Sequence, residues 1–401
     1  MSRRPPHPHL NLLHAVRADA GGPGRLKRTL IGAELIVGGL LMCYGIVLAI
    51  GFFAVRFHAT DVAGTVDPYN QDFQALAEAT SLTAIPAEAL HLPSVESEDE
   101  SAARIAAAID RCQLTVLERS YPVNAARIQA AIDAQAVHDV ITKMVFAVRL
   151  RSGDETLSAA LEACVVNPDV APPSTLAVHQ ENAFPWANSE EWTVVQAAFK
   201  KDRPTIDRAS TATGVESRLL MSVGFVEQMR LYFTEREIFE KIFRPLQILG
   251  NATQFAWGVM AIKEAAAIDI ERHLRDPHSS YYLGAAREHA LDFATADPAK
   301  ERFGRLTNER DHLYSYLYGG FGLAQYITQW QRAGFPIDHR PEIVATLYNI
   351  GFGRSVPKAT PDVGGSTLTI AGQPYTFGSL AFEMYFSGEL RDDFPYQATV
   401  Q

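Results

Sequence analysis

The chain has 401 residues, more than one ordinary domain holds, and 47% of them are apolar against 20% charged, which excludes wholesale disorder and permits a large core. The net charge of -10 is unevenly spread: Arg3, Arg4, Arg17, Arg25, Lys27 and Arg28 face Asp19 alone at the amino terminus, so the remainder is strongly acidic. No cluster of lysine and arginine follows residue 28, which argues against nucleic acid as a partner, because phosphate contacts need one.

In chain order, residues 1–28 read as a basic cytoplasmic tail and 29–55 as a transmembrane signal anchor. From Leu35 to Val55 no residue is charged, and about 20 apolar residues suffice to cross a hydrocarbon core. A helix of a soluble protein normally keeps one polar face and this stretch has none, so a membrane span is preferred to a buried core helix. Glu34 sits at its amino-terminal edge and Cys43 within it. The basic residues precede the span, so the amino terminus is expected in the cytoplasm and the main body outside an inner membrane, with the lipid bilayer as partner. Ala54 and Ala59 make a poor cleavage site, so the anchor is read as retained.

Residues 56–99 are read as a stalk, with Pro86 and Pro93 and an acidic patch from Glu96 to Glu100. A small helical domain is expected over 100–166, from apolar residues at helical spacing in 101–118 and 123–149 and a shorter helix around Leu157–Cys164. It carries no recognisable chemistry and is read as a spacer or docking unit whose protein partner is unnamed. Cys112 and Cys164 lie where disulfides are permitted; a bridge and two buried thiols both fit. Pro168, Pro172, Pro173 and Pro185 mark 167–188 as a linker. Residues 189–401 then read as one α-rich domain, broken by a β-hairpin over Thr367–Phe377 around Gly372. The fold class predicted is mainly α.

The chemistry points to Gly214–Arg230, GVESRLLMSVGFVEQMR. Gly214 ends one helix and a second begins near Glu216. No charge interrupts Leu219 to Val226, and at ~100° per residue Glu227 shares a side with Leu219, Leu220 and Val223. A carboxyl on the buried side of an apolar helix is costly unless protonated or paired, and burial favours the protonated form a general acid needs. The alternative is a helix-end carboxylate that reaches solvent or pairs with Arg230. Glu216, in the first turn, is read as a favourable charge at the helix amino terminus.

This stretch resembles the catalytic helix of the lytic transglycosylase and goose-type lysozyme superfamily, whose apolar run ends in a single catalytic glutamate. Two further blocks follow in family order. Trp257–Ala266 (WGVMAIKEAA) is similar to the family's "GLMQ" motif through Gly258, Val259 and Met260, and Val344–Gly351 (VATLYNIG) to its "AAYNaG" motif through Tyr348, Asn349 and Gly351. Residues 190–355 are covered. Gln228 stands where the family has serine, Ala261 where it has glutamine, and Tyr232–Gly250 is a longer insertion.

The resemblance implies a lysozyme-like domain that cleaves the MurNAc–GlcNAc bond of peptidoglycan and leaves a 1,6-anhydro end. It gives Glu227 the role of acid and base, and lets Tyr348 hold its carboxyl. Asn349 and the backbone of Gly258, Val259 and Met260 would grip the glycan, with no cofactor and no metal. An inert peptidoglycan-binding or scaffold protein and a water-using muramidase are the alternatives. The glycine run Tyr318–Gly322 (YGGFG) follows no strand and is read as helix packing or a turn. Trp257 and Trp330 are read as core residues, with stacking on sugars as the alternative.

Overall fold

The computed structural model describes residues 35–46, 64–82, 97–233 and 256–397, and the chain divides into two units, Met1–His58 and Ala59–Gln401. In the first unit, residues 35–46 form a helix (α1) whose side chains, Leu35, Leu40 and Leu41 among them, are exposed. No helix among the described residues is long and apolar enough to cross a membrane. Residues 1–34 and 47–63 lie outside those described, so all of the expected tail and much of the expected span lie there too.

The second unit begins inside the expected stalk, and there the expectation needs correcting. Strand β1 (Thr65–Val66) pairs antiparallel with β4 (Gly364–Gly365), and helix α2 (Asn70–Leu82) follows. Asn70 Nδ2 donates to Asp362 while its Oδ1 accepts the Val363 N–H, at 3.1 and 2.8 Å. Phe73 is buried edge-on to Phe146 and Phe382. A segment with few large apolar residues among many polar ones reads as a spacer, yet Phe73 and these hydrogen bonds bind residues 64–82 into the body.

Helices α3 (Ser97–Ser120), α4 (Pro122–Asp133), α5 (His138–Ser152) and α6 (Glu155–Val166) form the expected helical region. The single helix expected over 123–149 is two, broken where Gln135 takes a left-handed φ of 60°. A disulfide joins Cys112 of α3 to Cys164 of α6. This region is not separate from the carboxyl-terminal half of the body. Arg151 of α5 bonds the buried Glu383 of α13 (Phe377–Phe386) at 2.5 Å, and Trp186 Nε1 donates to the other oxygen of that carboxylate at 3.1 Å. The proline-rich segment 167–188 is likewise more than a linker: Phe184 and Trp186 are fully buried and stacked on one another. Prolines set its turns, but the aromatic side chains supply enough apolar area to hold it down.

Helix α7 (Glu190–Thr213) is capped by Ser189, whose hydroxyl accepts the Trp192 N–H, and stops at Gly214 in the left-handed conformation. After it comes α8 (Ser217–Phe233), buried at every position from Arg218 to Glu227. A helix apolar on all sides has to lie at the centre of a fold. It packs against α7, α13 and α11 (Leu313–Arg332). The expected hairpin is present as β5 (Thr367–Ile370) and β6 (Gln373–Thr376), its turn made by Ala371 and Gly372, both at positive φ. The glycine run lies within α11, where Gly319 faces Met260 and Gly320 faces Thr213, so close helix packing explains it.

Candidate functional site

Three elements meet at the carboxyl-terminal end of α8. The first is α8 itself, which carries Glu227 at 3% exposure. The second is a short hairpin that the sequence pattern does not predict, β2 (Ala256–Trp257) paired with β3 (Ile262–Lys263). Helix α9 (Glu264–Arg275) leaves it directly. The third is α12 (Pro341–Ile350), which carries Tyr348 and Asn349. The three sequence blocks are thus brought together in space.

The turn of the β2–β3 hairpin runs from Gly258 to Ala261. Gly258 takes φ 70° and Ala261 φ 46°, and the Ala261 N–H donates to the Gly258 carbonyl at 3.0 Å. The left-handed position suits Gly258 because a Cβ there would lie 2.5 Å from both the Leu306 carbonyl and Ser315 Oγ. Each neighbouring helix holds the turn. Gln228 of α8 donates to the Val259 carbonyl at 2.7 Å, the Met260 N–H donates to Ser315 Oγ of α11 at 3.1 Å, and the Tyr348 hydroxyl of α12 donates to the Met260 carbonyl at 2.6 Å.

These bonds revise several expected roles. The Tyr348 hydroxyl is given to the turn rather than to the Glu227 carboxyl. Burial raises its phenol well above the ordinary value, and the negative charge of Glu227 adds to the rise. The carbonyls of Val259 and Met260 and the Met260 N–H, expected to grip a glycan, are engaged within the protein; Gly258 and part of Val259 face outward. Asn349 accepts the Ser366 N–H at 2.7 Å and lies under Gly365, which makes it a brace for the β4–β5 connection. The Glu216 carbonyl accepts the Leu220 N–H at the start of α8, while its carboxylate bonds away from the helix. The side chain accepts from the Tyr385 hydroxyl at 2.5 Å and the Gln397 N–H at 3.1 Å, and burial raises its carboxyl above the usual value.

Glu227 is paired: Arg230 Nη2 lies 2.5 Å from its Oε2, with both side chains largely covered. This is the i,i+3 partner named as the alternative from sequence, and it coexists with the burial the acid reading expected. Behind the hairpin, Arg302 of α10 (Pro298–Leu306) forks onto Glu271 of α9 with two 2.7 Å bonds, and Tyr318 donates to the same carboxylate. That cluster fixes α9 and α10 against α11.

The residues missed from sequence are Gln228, noted only as a substitution, and Ser315. Ser315 lies 55 positions from its partner and no local pattern marks it. A cavity of about 520 Å³ between α4, α7 and the carboxyl-terminal loop, near Arg127, Lys200 and Arg391, shares no residue with this site. Among the described residues no group of three or more His, Cys, Asp or Glu is placed to hold a metal ion. Compared with family models, curated proteins and solved structures, the chain finds no match.

Proposed function

We propose that the protein is a membrane-anchored lytic transglycosylase of peptidoglycan, with Glu227 as its acid and base. The observation that carries this reading is a carboxyl buried to 3% at the end of the central apolar helix, beside the hairpin turn and Tyr348. Protonated Glu227 donates to the oxygen linking MurNAc to GlcNAc, and the MurNAc acetamido group supports the positive charge developing at C1. This is the substrate-assisted exception to the usual two-carboxylate arrangement. The carboxylate then removes the C6 hydroxyl proton as that oxygen closes on C1. Tyr348 contributes by fixing the turn through Met260.

An exported body anchored through residues 29–55 of an inner membrane belongs to the same proposal. The Cys112–Cys164 bridge supports it, since such bonds persist in oxidising compartments. A second reading, an inert glycan-binding scaffold, is favoured by the Glu227–Arg230 pair and by Ala261 in place of the family's glutamine.

The test is mass spectrometry of sacculi digested with the full chain in detergent. Anhydro-MurNAc ends from the wild type, absent with Glu227→Gln, are expected. Reducing ends would make it a water-using muramidase. Sacculus binding without any product would establish the scaffold.

A further inference from the structure

We propose that Arg230 is a positioning residue for Glu227, clamping its carboxyl in one orientation and neutralising the carboxylate each time the proton departs. The inference rests on the transglycosylase reading. Its geometric basis is the 2.5 Å contact between Arg230 Nη2 and Glu227 Oε2, with exposures of 18% and 4% for the two side chains. A charge-assisted bond in so dry a setting is short, directional and about twice as strong as a neutral one.

The neighbouring side chains make Arg230 the relevant one. Gln228 follows Glu227 directly but gives its amide to the Val259 carbonyl. Tyr348 bears on Glu227 through its charge, yet its hydroxyl goes to Met260. Among the described residues, Arg230 from α8 and the Tyr348 phenol from α12 are charged or titratable groups that bear on Glu227, while the Met260 side chain of the hairpin turn lies against Gly224 and Gly319. Of these, Arg230 bonds the carboxyl.

Protons and electrons balance in both halves of the reaction. In the first half, the carboxyl proton passes to the glycosidic oxygen as the C1–O bond breaks and its electron pair moves to that oxygen. The carboxylate left behind carries its charge in a largely buried setting, where a compensating cation lowers the cost. Arg230 stays in contact and stabilises it. In the second half, the C6 hydroxyl proton returns to the carboxylate as the O6–C1 bond forms, and the neutral acid is restored beside Arg230. A fixed cation beside the acid also makes it stronger and less easily protonated, so activity fades at a lower pH than it would without Arg230.

The experiment is the pH–rate profile of anhydro-end release by the full chain for wild type, Arg230→Met, Arg230→Gln and Arg230→Lys, with thermal melts to confirm folding. The expected result for Met and Gln is a lower kcat and an alkaline limb displaced upward by about 1–3 pH units. Lysine keeps the charge and is expected to leave the limb close to wild type. Products from folded Met or Gln variants with limb and kcat unmoved would overturn the inference alone. A wild type that releases no anhydro ends would overturn it together with the transglycosylase reading.

Discussion

Replacing Gly258 by alanine puts a methyl group where the structure has no room and asks an L-residue to hold φ 70°. The left-handed conformation costs about 1–2 kcal/mol per residue. The new Cβ would stand 2.5 Å from the Leu306 carbonyl and from Ser315 Oγ. One neighbour is backbone and the other is the acceptor of the Met260 N–H, so neither yields cheaply; overpacking of this kind costs roughly 1–3 kcal/mol. Together the loss is about 2–5 kcal/mol, a large part of a typical stability of roughly 5–15 kcal/mol. Urea denaturation of wild type and variant measures it as a fall in midpoint at constant slope. Gly304 provides the control: it lies inside α10, and a Cβ added there would meet nothing within 4 Å, so Gly304→Ala is expected to stabilise by about 0.5–1 kcal/mol. Equal midpoints for wild type and Gly258→Ala would refute the reasoning about the turn.

The disulfide closes a loop of 52 residues, for which chain entropy predicts about 4 kcal/mol; Cys112→Ala with Cys164→Ala should lose most of it in a urea melt, and a loss near zero would mean the bridge does not constrain the unfolded chain. Arg151→Met leaves the Glu383 carboxylate buried without its cation, at a cost of about 3–5 kcal/mol, whereas adding Glu383→Met should recover much of that in the double variant. Burial raises the Glu389 carboxyl above 4.5, opposed by Arg127, Arg218 and Lys200. The folded state therefore holds a proton that the unfolded state releases as pH climbs past 4.5, and stability drains away with rising pH across that window. Glu389→Gln is expected to flatten this decline in melts taken along a pH series, and an unaltered slope would refute the assignment.

What the sequence made legible was local and periodic. Helix α8 was legible because Gly214 stops its predecessor and a long uncharged run follows, and the β5–β6 hairpin because Gly372 sits between two β-favouring runs. The burial of Glu227 followed from the same pattern. Features set by distant partners were not legible. Residues 134–137 are good helix formers, and nothing in them announces the left-handed Gln135 that divides α4 from α5. The two-residue β2–β3 hairpin lies in a run, Trp257–Lys263, whose apolar content suits a helix equally well. The direction of the Tyr348 hydroxyl depends on a carbonyl 88 residues away, so its residue type alone could not decide between carboxyl and turn.

The pairing of β1 with β4 also bears on how the chain is made. Thr65 and its partner Gly365 are 300 residues apart. At roughly 5–20 residues per second, β1 and α2 wait about 15–60 seconds after synthesis before their partners exist. Throughout that interval Phe73 lacks Phe382, and the β1 backbone lacks its strand. Strand β1 is therefore among the last parts of the body to find its partner, and the edge-on contact of Phe73 with Phe382 waits for the far end of the polypeptide.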